Sequence, residues 1–295
     1  MSQDFFIEYP DPCPRFAGQP LPVNSCDCHA HVFEDFDAGM CLPNWAYKPR
    51  RITIGQYAGM LRALGFSRGV LVQPSVYGAN NSVMLDALSS AERPTDIDWR
   101  VVVGLDGGED ESTIERLHAT GVRGVRINLL YVDTTMLDLP KIQRIAEKIA
   151  PFGWHLQFLM DISRIANWVE GFKTFPVDCV IDHMGHFPAR DGVQSRAFQN
   201  LLSLLEDGRT WVKLSGPHRL SSGKVFPFVD VLPIARALVA KRPDRLVFGT
   251  DWPHVSINPM PNDGDLIEEL YRWVDGDQDL CRRILAENPE VLYDF

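Results

Sequence analysis

Eight short, apolar, β-prone runs, each followed by a stretch with helical spacing, constrain this chain more than any other feature. The runs fall at 26–32, 69–74, 100–105, 124–130, 155–160, 178–183, 210–215 and 245–250. Between them apolar residues recur at i, i+3, i+4 and i+7, as in Tyr57, Met60, Leu61 and Leu64, with Gly65 placed to end that helix. Ile142, Ile145, Ala146 and Ile149 repeat the pattern, as do Ile162, Ile165, Val169 and Phe172, and then Phe198, Leu201, Leu202 and Leu205. Val231, Ile234, Ala235 and Leu238 continue it, followed by Ile267, Leu270, Tyr271 and Val274, while 81–92 and 111–120 read as two weaker helices. The β runs are apolar throughout rather than strictly alternating, as strands covered on both faces are. Strand then helix eight times over, with no linker and no break in composition, predicts an α/β protein: a single (β/α)8 TIM barrel over residues 25–295. Residues 1–24, with prolines at 10, 12, 14, 20 and 22, read as an irregular N-terminal arm.

Composition narrows the partners. The 295 residues carry 29 Lys and Arg against 39 Asp and Glu, a net charge of −10. That balance argues against nucleic acid or an anionic membrane surface as the main partner, but a local pair of arginines still suffices for a small anion. No apolar run reaches the ~18 residues that a spanning helix needs. The chain opens on acidic, aromatic and Pro-rich residues rather than a basic-then-apolar leader, so a cytoplasmic protein is expected. Six cysteines in a chain this long do not make a disulfide scaffold, and Cys26 and Cys28 lie too close along a strand to bridge.

In such a barrel the reactive residues belong at the C-terminal ends of the strands. The first strand ends Asp27-Cys28-His29-Ala30-His31, and regular alternation would point Asp27, His29 and His31 into the barrel and Cys28 and Ala30 toward the helices. Inward imidazoles are costly unless they bind, react or find partners, so a structural pair is the competing reading. The sixth strand ends on His183, with His186 in the loop after it. The eighth ends Gly249-Thr250-Asp251-Trp252-Pro253-His254, with Asp251 at the mouth. Three histidines and an aspartate could coordinate a divalent metal. They could also work without one, the aspartate as general base and the imidazoles as donors to a carbonyl oxygen.

The motifs DCHAHVF at 27–33, GVLVQPSVYGANN at 69–81, GVRGVRINLL at 121–130, GWHLQFLMD at 153–161, VIDHMG at 180–185, WVKLSGPHRL at 211–220, FGTDWPH at 248–254 and NPEVLY at 288–293 occur in order over nearly the whole chain. Together they resemble the amidohydrolase superfamily, and within it the 2-pyrone-4,6-dicarboxylate lactonase group. That resemblance implies a hydrolase opening the ring of an acidic pyrone- or muconolactone-type lactone. Asp251 would activate water, and His29, His31 and His183 would polarise the carbonyl. Arg126 and Arg219 would hold substrate carboxylates, for which a guanidinium fork is suited; rim salt bridges are their alternative.

Tyr47, Ser75, Tyr77 and Asn128 complete the expected binding set, whereas Asn80 and Asn81 are placed to start the second helix. No metal is expected. Many metal-holding relatives place another ligand at the end of strand five, where this chain has Leu159 and Met160; His155 lies at the far end of that strand, and Lys213, mid-strand seven, is an uncertain substitute. If an ion is present, zinc or manganese on His29, His31 and Asp251 is the alternative. Leu129-Leu130-Tyr131-Val132 and Leu159-Met160 also depart from the group's pattern by removing basic and hydroxyl character, which widens the range of substrates. Rival readings are a metal-dependent amidohydrolase or decarboxylase, a lactone isomerase and a non-catalytic binding barrel.

Overall fold

The computed structural model describes residues 6–16, 18, 20–43, 47–91, 93–130, 138–165 and 169–295. Its strands are β1 Cys26–Ala30, β2 Arg68–Val72, β3 Asp98–Val103, β4 Val122–Asn128, β5 His155–Leu159, β6 Cys179–Ile181, β7 Thr210–Leu214 and β8 Leu246–Phe248. They pair in parallel in chain order. The ring closes just above the strands: Ala30 bridges Trp252, the His31 N–H donates to Trp252 O and the Asp251 N–H donates to His29 O, both at 2.9 Å. This is the (β/α)8 barrel that the rhythm of the sequence predicts.

The helices, most of which cover the outside, include α1 Ile54–Leu64, α2 Ser82–Ser89, α3 Glu111–Ala119, α4 Leu139–Ile149, α5 Val169–Phe172, α6 Arg196–Glu206, α7 Pro217–Leu220, α8 Leu232–Lys241, α9 Asp263–Trp273, α10 Gln278–Arg282 and α11 Asn288–Tyr293. Local chemistry sets their ends. Thr53 and Gln56 form a reciprocal capping box on α1, and Gly65 ends it at φ 92°. Asn81 occupies the N-cap position of α2, but its side chain instead clasps the Gly104 backbone, leaving Asn80 to accept from the Ser82 N–H. The apolar stripe from Ile162 to Phe172 gives a 3-10 turn at Ile162–Ile165 and the short α5, with residues 166–168 outside the described set.

The core has two compartments. Leu71, Val101, Val103, Leu156, Phe158, Ile181, Val212 and Leu214 face the helices, and each such buried side chain contributes about 1.5–3 kcal/mol. Cys26, Cys28, Val70, Val72, Val102, Val180 and Val247 fill the barrel, with Leu292 and Tyr293 of α11 plugging its lower end against His155. The six cysteines are free. The arm lies along the wall: Ile7 N–H donates to Lys48 O, and Arg15 N–H to Asn262 Oδ1.

Cys28, placed outward by simple alternation, packs inside the barrel, and Asp27, placed inward, faces the helix side beneath Tyr57. A register shift between Asp27 and Ala30 explains both: a bulge in β1 resets the alternation, so that His29 and His31 still enter the barrel. Asp27 then accepts from Thr250 N–H, Thr250 Oγ1–H and His29 N–H, tying β1 to β8. Burial pushes its carboxyl up to about 6 despite these bonds.

The last strands are also shorter than expected. β6 stops at Ile181 and β8 at Phe248, because the chain turns sharply beyond them. His183, Met184 and His186 have φ of 50°, 50° and 52°, and Asp251, His254 and Ser256 have 70°, 63° and 60°. Left-handed backbone at so many non-glycine residues costs energy and is concentrated where side chains must be aimed.

Candidate active site

At the mouth of the barrel Asp251 Oδ1 faces three imidazoles. His29 Nε2 lies 3.7 Å away, His183 Nε2 3.8 Å and His31 Nε2 3.9 Å, all four side chains being almost fully buried. The other oxygen, Oδ2, accepts from Arg219 Nε at 2.5 Å, with His218 Nε2 at 3.5 Å. Burial would raise the Asp251 carboxyl, but Arg219, His183, His218 and His29 together hold it well below the usual carboxylate range. Asp251 is therefore an anion at neutral pH, with one oxygen held and one aimed at the site.

Each imidazole is fixed from behind through Nδ1. His31 Nδ1 is 2.7 Å from Val72 O, which only accepts, so neutral His31 carries its proton on Nδ1 and presents a lone pair at Nε2. His183 Nδ1 is 2.9 Å from Ser215 Oγ, a group able to donate or accept. Burial lowers both histidines well below their ordinary value. It lowers His29 to about 4. Two glycines make room for these rings: a Cβ on Gly249 would meet His29 Cβ at 2.7 Å, and one on Gly216, at φ 63°, would meet His183 Nδ1 at 3.0 Å.

Beneath the mouth is a buried polar layer. Lys213 Nζ donates to Cys28 O at 2.7 Å and Gln157 Oε1 at 2.8 Å; Gln157 Nε2 donates to Asp182 Oδ2 at 3.1 Å. Asp182 Oδ1 lies 3.4 Å from His29 Nδ1 and 3.8 Å from Lys213 Nζ, while its Oδ2 is 3.6 Å from Arg126 Nε. Burial opposes its charge, yet His29, Lys213 and Arg126 keep the Asp182 carboxyl far below its ordinary value. In the sequence Gln157 and His218 carry no mark of this role, and Asp182 shows only as a lone Asp closing an otherwise apolar strand.

A pocket opens above this centre, with His31, His183, Asp251, Arg126, Arg219, Tyr47, Ser75 and His186 on its polar side and Leu130, Leu159 and Val255 on its apolar side. Two expected binding residues are placed differently. Tyr77 does not line the pocket; its hydroxyl accepts from the Glu34 N–H at 3.2 Å and stitches two mouth loops together. Asn128 donates to Ser75 Oγ at 2.8 Å and accepts from Leu130 N–H, so it braces Ser75 from behind. His254 is also outside the pocket, bound to Asp263 Oδ1 at 2.9 Å. Tyr131 and Val132 lie outside the described residues.

His29, His31 and Asp251 offer donor atoms within 4.8 Å of one another, as do His29, Asp182 and His183, so either set could reach a metal ion. The surrounding charges fit one poorly. Asp182 and Asp251 already face Arg126, Arg219 and Lys213, an excess of positive charge before any ion arrives, in a buried site where repulsion is weakly screened. Arg219 holds Oδ2 of the carboxylate in the His29–His31–Asp251 set, while Oδ1 and His29 Nε2 are buried without a hydrogen-bond partner.

Fold and site together define a barrel enzyme built around a buried aspartate–histidine centre. The chain belongs to the amidohydrolase family: residues 26–295 match Amidohydro_2, described as Amidohydrolase. It is 33% identical over 284 residues to a 2-pyrone-4,6-dicarboxylate hydrolase of Comamonas testosteroni, covering 92% of this chain and 91% of the relative. It is 32% identical over 298 residues to a 4-sulfomuconolactone hydrolase of Rhizobium radiobacter, covering 96% of each. Among solved structures, an Acinetobacter baumannii protein described as a probable 2-pyrone-4,6-dicarboxylic acid hydrolase, with citric acid bound, superposes at a TM-score of 0.77 with 27% identity, covering 92% of this chain and 100% of that one.

Proposed function

We propose that this protein opens the ring of an anionic, pyrone- or muconolactone-type lactone with water, and that it does so without a metal. The observation that carries the reading is the convergence of three imidazole Nε2 atoms on one oxygen of ionised Asp251, in a pocket that also holds two arginines. Asp251 Oδ1 takes a proton from water as the water attacks the lactone carbonyl carbon. The His31 lone pair accepts the water's other hydrogen and aims it. His183, whose Nδ1 can accept from Ser215, is free to carry its proton on Nε2 and donate to the carbonyl oxygen as charge builds there. Collapse of the tetrahedral intermediate breaks the ring C–O bond, and Asp251 returns the proton to the departing oxygen. An ester carbonyl is electrophilic enough for this donor set, and the local excess of positive charge favours both an anionic substrate and an oxyanion.

The lactones in the names of those relatives carry carboxylate or sulfonate groups, and Arg126 and Arg219 are the groups that would receive them here. Replacing Arg126 by Met is expected to raise KM for anionic lactones and leave neutral ones little changed, since a lost charge-assisted hydrogen bond costs about 1.5–3 kcal/mol. Steady-state kinetics on a matched pair of lactones checks it; equal losses on both would assign Arg126 to the fold. Arg219→Met should do more, because Arg219 also holds Asp251. Removing its charge raises the Asp251 carboxyl, so the acid limb of kcat/KM against pH is expected to move to higher pH.

Prolonged chelation is expected to leave lactone opening intact. Assay of a lactone panel before and after chelation, with metal analysis of the same sample, tests this. Activity lost with the metal and restored only by a divalent ion would make His29, His31 and Asp251 ligands instead.

A further inference from the structure

We propose that Lys213 is a positioning residue that fixes the tautomer of His29, so that His29 carries its proton on Nε2 and serves as a second donor to the reacting carbonyl oxygen. Lys213 is fully buried in the barrel, and an ammonium group has three hydrogens and no acceptor. Two of the hydrogens are taken by Cys28 O and Gln157 Oε1. The nearest acceptor for the third is His29 Nδ1 at 3.3 Å, closer than Asp182 Oδ1 at 3.8 Å.

The two neutral tautomers of His29 can be compared contact by contact. With the proton on Nδ1, the ring gains Asp182 Oδ1 at 3.4 Å as acceptor, but it turns a donor toward the Lys213 ammonium and a lone pair toward the Asp251 carboxylate. With the proton on Nε2, Nδ1 accepts from Lys213 and the Nε2–H faces Asp251 Oδ1 at 3.7 Å, and the one opposed contact is the Nδ1 lone pair 3.4 Å from Asp182 Oδ1. That tautomer has two complementary contacts against one. It also explains why His29 Nε2 is buried without a hydrogen-bond partner: it is a donor whose acceptor arrives with the substrate. His31 is locked the opposite way by Val72 O, so the adjacent imidazoles of the HxH motif take different parts, one donating to the carbonyl and one accepting from water. What His29 donates to rests on the lactone-opening reading; which nitrogen carries its proton does not.

The test is the imidazole 15N spectrum of the full-length protein labelled at histidine, in which protonated and lone-pair nitrogens resonate far apart. His29 signals are assigned by their loss in His29→Gln. At neutral pH, wild-type His29 is expected to show a protonated Nε2 and a lone-pair Nδ1, and His31 the reverse. Lys213→Met is expected to move the His29 proton to Nδ1, and to lower kcat by about a hundredfold with KM little changed, the cost of one lost oxyanion donor. A protonated Nδ1 on His29 in the wild type overturns the proposal, and that spectrum needs no variant to fold. An unshifted tautomer in folded Lys213→Met overturns it equally. If no lactone is opened by the wild type, the functional reading fails while the spectrum still decides the role of Lys213.

Discussion

Replacing Asp251 by Asn is expected to lower turnover of an anionic lactone by at least about a hundredfold while leaving substrate binding largely intact, the scale on which a positioned general base contributes. The amide keeps the shape, and its oxygen can still meet Arg219, but it cannot take a proton from water. Pre-steady-state or steady-state kinetics with a binding measurement separate the two effects. Unchanged turnover in a folded variant would remove Asp251 from the reaction. The same geometry predicts that wild-type activity persists to unusually low pH, because Arg219 and the surrounding imidazoles keep the base ionised there.

Replacing Asp182 by Ala is expected to cost about 3–5 kcal/mol of folding stability, because it leaves the Lys213 and Arg126 charges buried without their counter-ion. Urea unfolding at neutral pH measures it, with a large drop in midpoint and little change in slope. The sign of the pH dependence follows from the depressed carboxyl: its stabilising contribution is present above the ordinary carboxylate range and fades as pH falls toward its lower folded value. A loss below about 1 kcal/mol would show that the layer is not held by this charge.

The barrel and the mouth residues were legible because they follow from strong signals: eight apolar runs, helical spacing between them, and histidines and an aspartate where strands one, six and eight end. The bulge in β1 was not legible. It inverts the faces of Asp27 and Cys28 through a single extra residue, and nothing in Cys26-Asp27-Cys28-His29 marks where the pleat resets. The buried layer was only half visible: Lys213 stands out in the middle of strand seven, but its partners Gln157 and Asp182 come from β5 and from the turn after β6, and only the ring of strands brings them together. Tyr77 and Asn128 show the same limit. Their positions after strand two and at the end of strand four predict proximity to the pocket, yet their side chains bond to the Glu34 backbone and to Ser75.

The most direct measurement of the central claim is ring opening of 2-pyrone-4,6-dicarboxylate, 4-sulfomuconolactone and an uncharged lactone by metal-stripped protein, followed together with Asp251→Asn under the same conditions. The account predicts that at least one anionic lactone is opened at full rate without metal, that the neutral ring is a poor substrate, and that Asp251→Asn abolishes most of the turnover. Opening that requires an added divalent ion, or that proceeds equally well in Asp251→Asn, would contradict it.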